Sequence, residues 1–106
     1  MQAVHVQVVR YLDSDFPARV ECLLRDAADR EWTFVDKAPV FTKAPLDAHT
    51  PYPQPGVIAC EILRTWTDGQ GRTRCLIDTE RPWGVSANDG GTQFEVFMEQ
   101  IITDMA

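Results

Sequence analysis

Two groups of side chains in this sequence have the types and spacing that chemistry needs. The first is Asp47-Ala48-His49, with Tyr52 three residues on and Asp36 upstream. An Asp-x-His pair can orient an imidazole for general-base work, or contribute to a metal site completed from elsewhere. A nucleophile would have to stand beside that base, and no G-x-S-x-G elbow or equivalent occurs. His49 therefore reads as a solvated loop histidine. A small enzyme acting through Asp47 and His49, with Asp36 or Tyr52, is kept as an alternative, and no residue is assigned as catalytic.

The second group is Glu61, Asp78 and Glu80. The segments VIACEILRTWT and RTRCLIDTE flank the turn DGQG. With Thr67 paired to Arg72, Ile62 faces Ile77, Arg64 faces Cys75 and Cys60 faces Thr79. Glu61 then stands directly opposite Asp78 on the outward face, with Glu80 two residues further. Like charges at opposed positions destabilise a sheet. Water and an arginine such as Arg74 or Arg81 are the expected offset; a basic partner or a hard cation would serve the same end.

Cys22, Cys60 and Cys75 are the only cysteines. None is spaced as C-x₂₋₄-C, so zinc binding is not expected. Each falls on an apolar strand face, where cysteine acts as a small hydrophobe. His5 falls on the more polar face of the first strand, and no phosphate-cradling glycine loop is present. No cofactor and no metal are expected.

These residues need elements to hold them, and period-two patterning dominates the chain. Val4, Val6 and Val8 share one face, as do Val20, Cys22 and Leu24, and then Trp32 and Phe34. Three short strands in a meander follow, the first two joined by a turn at DSDFP. The 61–78 hairpin comes next. WGVSA and TQFEVF flank NDGG, which predicts a second hairpin with Val85 opposite Phe94 and Trp83 opposite Val96. A short terminal helix or plug carrying Ile101, Ile102 and Met105 would close the chain. Trp32, Trp66 and Trp83 all fall on inward faces. Leu63 and Leu76 face each other outward, either covered by the crossover or forming a homodimer contact.

Between the meander and the hairpin, Asp36–Gly56 holds five of the seven prolines. Proline lacks an amide donor, so this stretch cannot be a central strand. It reads as an ordered crossover with apolar anchors at Val40, Phe41, Leu46 and Tyr52, and a short edge strand at Pro39–Thr42. Its leading role is to cap the barrel; its sharper one is a recognition loop presenting Lys43, Asp47, His49 and Tyr52.

The whole is expected to be one all-β domain, residues 1–106. Its architecture is a small, partly closed β-barrel, or a sandwich, of six to seven antiparallel strands. The 106 residues allow one modest core. A net charge of −6 suits solubility and steering to a basic partner, and opposes nucleic-acid binding, which needs a basic surface. No stretch resembles a signal peptide or a membrane span, which places the chain in the cytoplasm. The expected function is a small soluble, non-catalytic binding or interaction module with a protein partner, of the kind an acidic inhibitor or immunity protein represents. Its contacts would be Lys43, Asp47, His49, Tyr52, Glu61, Asp78 and Glu80. Besides the enzyme, a homodimeric structural or regulatory protein is the other alternative.

Overall fold

The structure, a computed structural model, describes residues 1–13 and 17–103. The strands are β1 (Gln2–Asp13), β2 (Arg19–Arg25), β3 (Glu31–Lys37), β4 (Gln54–Thr67), β5 (Thr73–Asp78), β6 (Gln93–Phe97) and β7 (Ile101–Ile102). They form one antiparallel sheet in the order β3-β2-β1-β4-β5-β6, with β7 added on β1. The all-β expectation holds, and the sheet curls into a half-barrel.

Alternation explains which face turns inward. Val4, Val8, Val20, Cys22, Leu24 and Phe34 are fully buried, as are Ile58, Cys75, Ile77 and Val96 on the later strands. Residues between them are mostly half-buried or exposed, because successive side chains leave a strand on opposite sides. β1 and β4 are long enough to serve more than one neighbour each. Residues 2–8 of β1 pair with 54–60 of β4, and residues 7–13 pair with β2. The distal half of β4, 61–67, pairs with β5.

Curling brings distant edges together. The Ala27 amide donates to the Glu95 carbonyl (2.8 Å), and the Asn88 amide to the Thr33 carbonyl (2.8 Å). Gln100 accepts from the Phe97 amide (2.9 Å) and donates to the Arg25 carbonyl (2.9 Å). β7 then pairs with Ala3 and Val4 at the start of β1.

Several expectations are corrected. WGVSA is not a strand. NDGG does turn, with Gly90 at φ +91°, but Gly84, Val85 and Ala87 bond to Glu80, Thr79 and Gly91 rather than to β6. Trp83 is therefore released from the core and is 52% exposed. The expected terminal helix is only a 3-10 turn, Met98–Gln100, before β7; Met105 lies outside the described residues. Pro39–Thr42 is no edge strand, because Ala38–Val40 coil into a 3-10 turn. Ser14–Phe16 of the DSDFP turn also lie outside the described residues.

The 61–78 hairpin is one residue out of the expected register at its tip, where Thr67 pairs with Thr73 and Thr65 with Cys75. A bulge between Ile62 and Arg64 absorbs the extra residue, so Ile62–Ile77 and Glu61–Asp78 pair as expected. Leu63 occupies the bulge and is 44% exposed, while Arg64 stands across from Leu76. The crossover does not cover Leu63, and the two leucines are not partners.

Candidate binding groove

The proline-rich crossover is anchored rather than slack. Phe41 is 1% exposed, and Val40, Leu46 and Tyr52 pack against the core. The Phe41 carbonyl accepts from the Val57 amide (2.9 Å), which pins the crossover along β4. Gly56 makes this approach possible: a Cβ there would lie 3.1 Å from Val8 Cγ2 and 3.2 Å from the Phe41 carbonyl oxygen. The prolines limit the segment's unfolded freedom, so ordering it costs less entropy.

Between this crossover, the outer face of β1–β4 and the turn after β5 lies a groove of about 380 Å³. Pro39, Val40 and Lys43 of the crossover line it together with His5, Val57 and Trp83. His5 and Val57 are register partners on the outward face. The lining is mainly apolar with two basic groups and no carboxylate, the composition of a recognition surface rather than of a solvated loop.

Trp83 is held in place by a tightly bonded turn. Thr79 is the one polar residue fully buried among those described. Its hydroxyl donates to the Val85 carbonyl (2.6 Å). Its amide donates to the Thr92 carbonyl (2.8 Å), and its carbonyl accepts from the Val85 amide (3.1 Å). The Gly84 amide donates to the Glu80 carbonyl (2.7 Å), with Gly84 at φ +65°. Val85 and Ala87 are buried beneath, so Trp83 projects outward from a fixed base.

Of the loop residues singled out in the sequence, only Lys43 reaches this groove. Asp47 closes its own turn: its carboxylate accepts from the His49 amide (2.8 Å) and the Thr50 hydroxyl (3.3 Å). Those bonds, led by the His49 amide, hold the Asp47 carboxyl below its ordinary range. The bond is to the His49 backbone, so the carboxylate does not orient the imidazole. Tyr52 turns inward and donates its hydroxyl to the Asp47 carbonyl (2.9 Å). His49 is exposed.

Glu61 and Asp78 do face each other, but arginine is not the offset. Asp78 accepts from the Glu80 amide (2.8 Å) and, at 3.5 Å, from the Gln93 side chain. Arg74 is bonded to Asp68 instead (2.7 Å). Among the described residues neither Arg81 nor any member of Glu61, Asp78 and Glu80 is in an ion pair, and no cluster of His, Cys, Asp and Glu is arranged to hold a metal. Glu61, Asp78 and Glu80 thus form an acidic strip without ion pairs on an outer side that also carries Arg64. Glu61 with Arg81 and Pro82 lines a neighbouring depression, so the 81–83 turn borders strip and groove together.

The three cysteines are buried and unpaired. Burial pushes the Cys22 and Cys60 thiols up to about 12 and raises Cys75. At the far end of the barrel, Arg72 and Arg74 lie over the Phe97 ring (3.4 and 5.1 Å to its centroid). Arg72 pairs with Glu99, and Arg25 with Asp29 and Glu31, so these two arginines are already engaged by carboxylates.

Trp83 and His5 are the site residues that alternation alone misses. The signal for Trp83 is its setting, Pro82-Trp83-Gly84, two turn-forming residues around an aromatic. No helix among the described residues is long and apolar enough to cross a membrane. No protein-family model, curated protein or solved structure matches this chain.

Proposed function

We propose that this chain is a small, non-catalytic protein-interaction module that grips a partner in the groove between the proline-rich crossover and Trp83. The observation that carries this reading is Trp83 itself: an indole 52% exposed on a rigidly bonded turn, lining a mainly apolar groove. Tryptophan is the side chain most enriched at interface hot spots, and a pre-ordered site loses little entropy on binding. The acidic strip of Glu61, Asp78 and Glu80, with the net charge of −6, supports a partner with a basic surface that is steered in by the field and then anchored at Trp83. An acidic inhibitor or immunity-like protein works in this way. The same charge disfavours nucleic acid as partner, and the three unpaired thiols suit a reducing compartment such as the cytoplasm.

The test is capture of the partner from source lysate, read by native mass spectrometry, with wild type and Trp83→Ala compared. Loss of a hot-spot indole costs at least about 2 kcal/mol, or about 30-fold in affinity. Retention of the same partner at unchanged affinity by a folded Trp83→Ala protein refutes the groove as the contact.

A further inference from the structure

The groove beside Trp83 departs from the acidic balance of the chain. Sixteen Asp and Glu outnumber ten Lys and Arg in the sequence, yet no carboxylate lines the groove. Its only titratable side chains are Lys43 and His5. Both are exposed, and among the described residues neither is in an ion pair. Arg25, Arg72 and Arg74, by contrast, are each already held by a carboxylate.

The strand register keeps His5 without a counter-ion. The outward positions around it on β1 and β4 are Ala3, Gln7, Pro55, Val57 and Ala59, and none is acidic. Lys43 stands on the crossover between Thr42 and Ala44. Phosphate is recognised by arginine forks or by the amides of a helix N-terminus, and neither an arginine nor an α-helix lines this groove. One ammonium and one imidazole beside apolar surface match a single carboxylate, because both donate to it. The volume of about 380 Å³ lies near the lower end for ligand sites, so it receives about one or two side chains rather than a folded surface.

We propose that the partner enters this groove with an extended segment carrying an Asp or Glu beside a large apolar side chain; this rests on the groove being the partner's contact. The apolar side chain packs against Val40, Val57 and Trp83, and the carboxylate accepts from the Lys43 ammonium and the His5 imidazole. The partner's basic body lies against the strip of Glu61, Asp78 and Glu80, so body and inserted segment meet opposite charges. A basic segment in the groove would meet Lys43 and no carboxylate, and an acidic body would be repelled by the strip. Two patches of opposite sign fix the orientation of the partner and reject proteins that match only one of them.

Selection of a phage-displayed random heptapeptide library on wild type, Lys43→Glu and Trp83→Ala tests the proposal. Wild type enriches peptides with Asp or Glu beside Trp, Phe or Leu. Lys43→Glu, a change at an exposed position, enriches Lys or Arg in that place instead. The leading wild-type peptide, synthesised with blocked ends, shifts the NMR signals of the Val57 amide and the Trp83 indole. It binds at least about threefold tighter than its Asn or Gln counterpart, and Lys43→Met removes the difference. Identical sequences from wild type and Lys43→Glu, or a counterpart that binds equally well, overturn the proposal. If Trp83→Ala still loses those peptides, the groove stands as the contact and only the carboxylate falls. Absence of enrichment, or peptides that shift neither Val57 nor Trp83, also overturns the proposal; partner capture with Trp83→Ala then decides the groove by itself.

Discussion

Thr79→Val tests whether the turn that carries Trp83 depends on one buried hydroxyl. Threonine and valine have nearly the same volume, so no cavity forms, and the change removes the hydroxyl that donates to the Val85 carbonyl (2.6 Å) and lies 3.3 Å from the Thr92 carbonyl, which keeps its bond from the Thr79 amide. Thr79 is 0% exposed and Val85 3% exposed, so water cannot replace the bond without opening the turn. A buried acceptor left without a partner costs about 1–3 kcal/mol, and the added methyl returns up to about 0.8 kcal/mol. The net loss is about 1–2 kcal/mol, which lowers the Tm of a domain near this size by about 5–15 °C. Circular dichroism measures the melt, and amide exchange at Val85 reads the turn directly, because that amide donates to the Thr79 carbonyl. Thr79→Ser keeps the hydroxyl and keeps Val85 protected. A Tm within about 2 °C of wild type for Thr79→Val, a shift too small for a lost buried bond, refutes the reasoning. So does unchanged Val85 protection.

Gly56→Ala forces a Cβ to within 3.2 Å of the Phe41 carbonyl oxygen. The crossover must shift along β4, at a cost of about 1–3 kcal/mol in a denaturant melt. Asp26 links the β2–β3 turn to Trp32. Burial raises its carboxyl, but bonds from the Trp32 indole and the Arg30 and Ala28 amides outweigh this and hold it below the ordinary range. A carboxyl depressed in the folded state stabilises fully above its unfolded value, about pH 4, and loses that contribution as pH falls through the folded value. Asp26→Asn should therefore melt lower at neutral pH and show a smaller acid-induced drop, as seen in melts from pH 7 to pH 3. Cys22 and Cys60, with thiols pushed up to about 12 by burial, should resist a thiol reagent at pH 8 in the native protein. They should react promptly in denaturant, and fast native labelling would contradict their burial.

Alternation along the chain was sufficient to name the strands β1 to β6 and most of their buried faces, but beyond the bulge in β4 Trp66 pairs with Arg74 on the outer face instead of facing inward. Whether Val4 or His5 turns inward depends only on neighbours in sequence and on a period of two. The Glu61–Asp78 pairing is legible for the same reason, although only because a bulge at Leu63 restores a register that is shifted at the hairpin tip. A bulge leaves no mark in a pattern of apolar and polar residues. The site is less legible. Asp47, His49 and Tyr52 look like an exposed functional set in the sequence, yet the loop's own backbone and the core take up Asp47 and Tyr52. Trp83 fits an inward position in a hairpin that never forms, because Thr79, Gly91 and Thr33 claim the amides of Val85, Ala87 and Asn88. Those competing partners lie far apart in sequence or across the turn, and local preference cannot weigh them. The sequence by itself determined the strand faces, the stiff crossover and the acidic balance, all local or compositional properties. Tertiary structure alone decided that β7 closes onto β1 and that Trp83 lines one groove with Val40 and Lys43. Each of these depends on which distant backbone group reaches an unpaired donor or acceptor first, and that follows from the curl of the whole sheet.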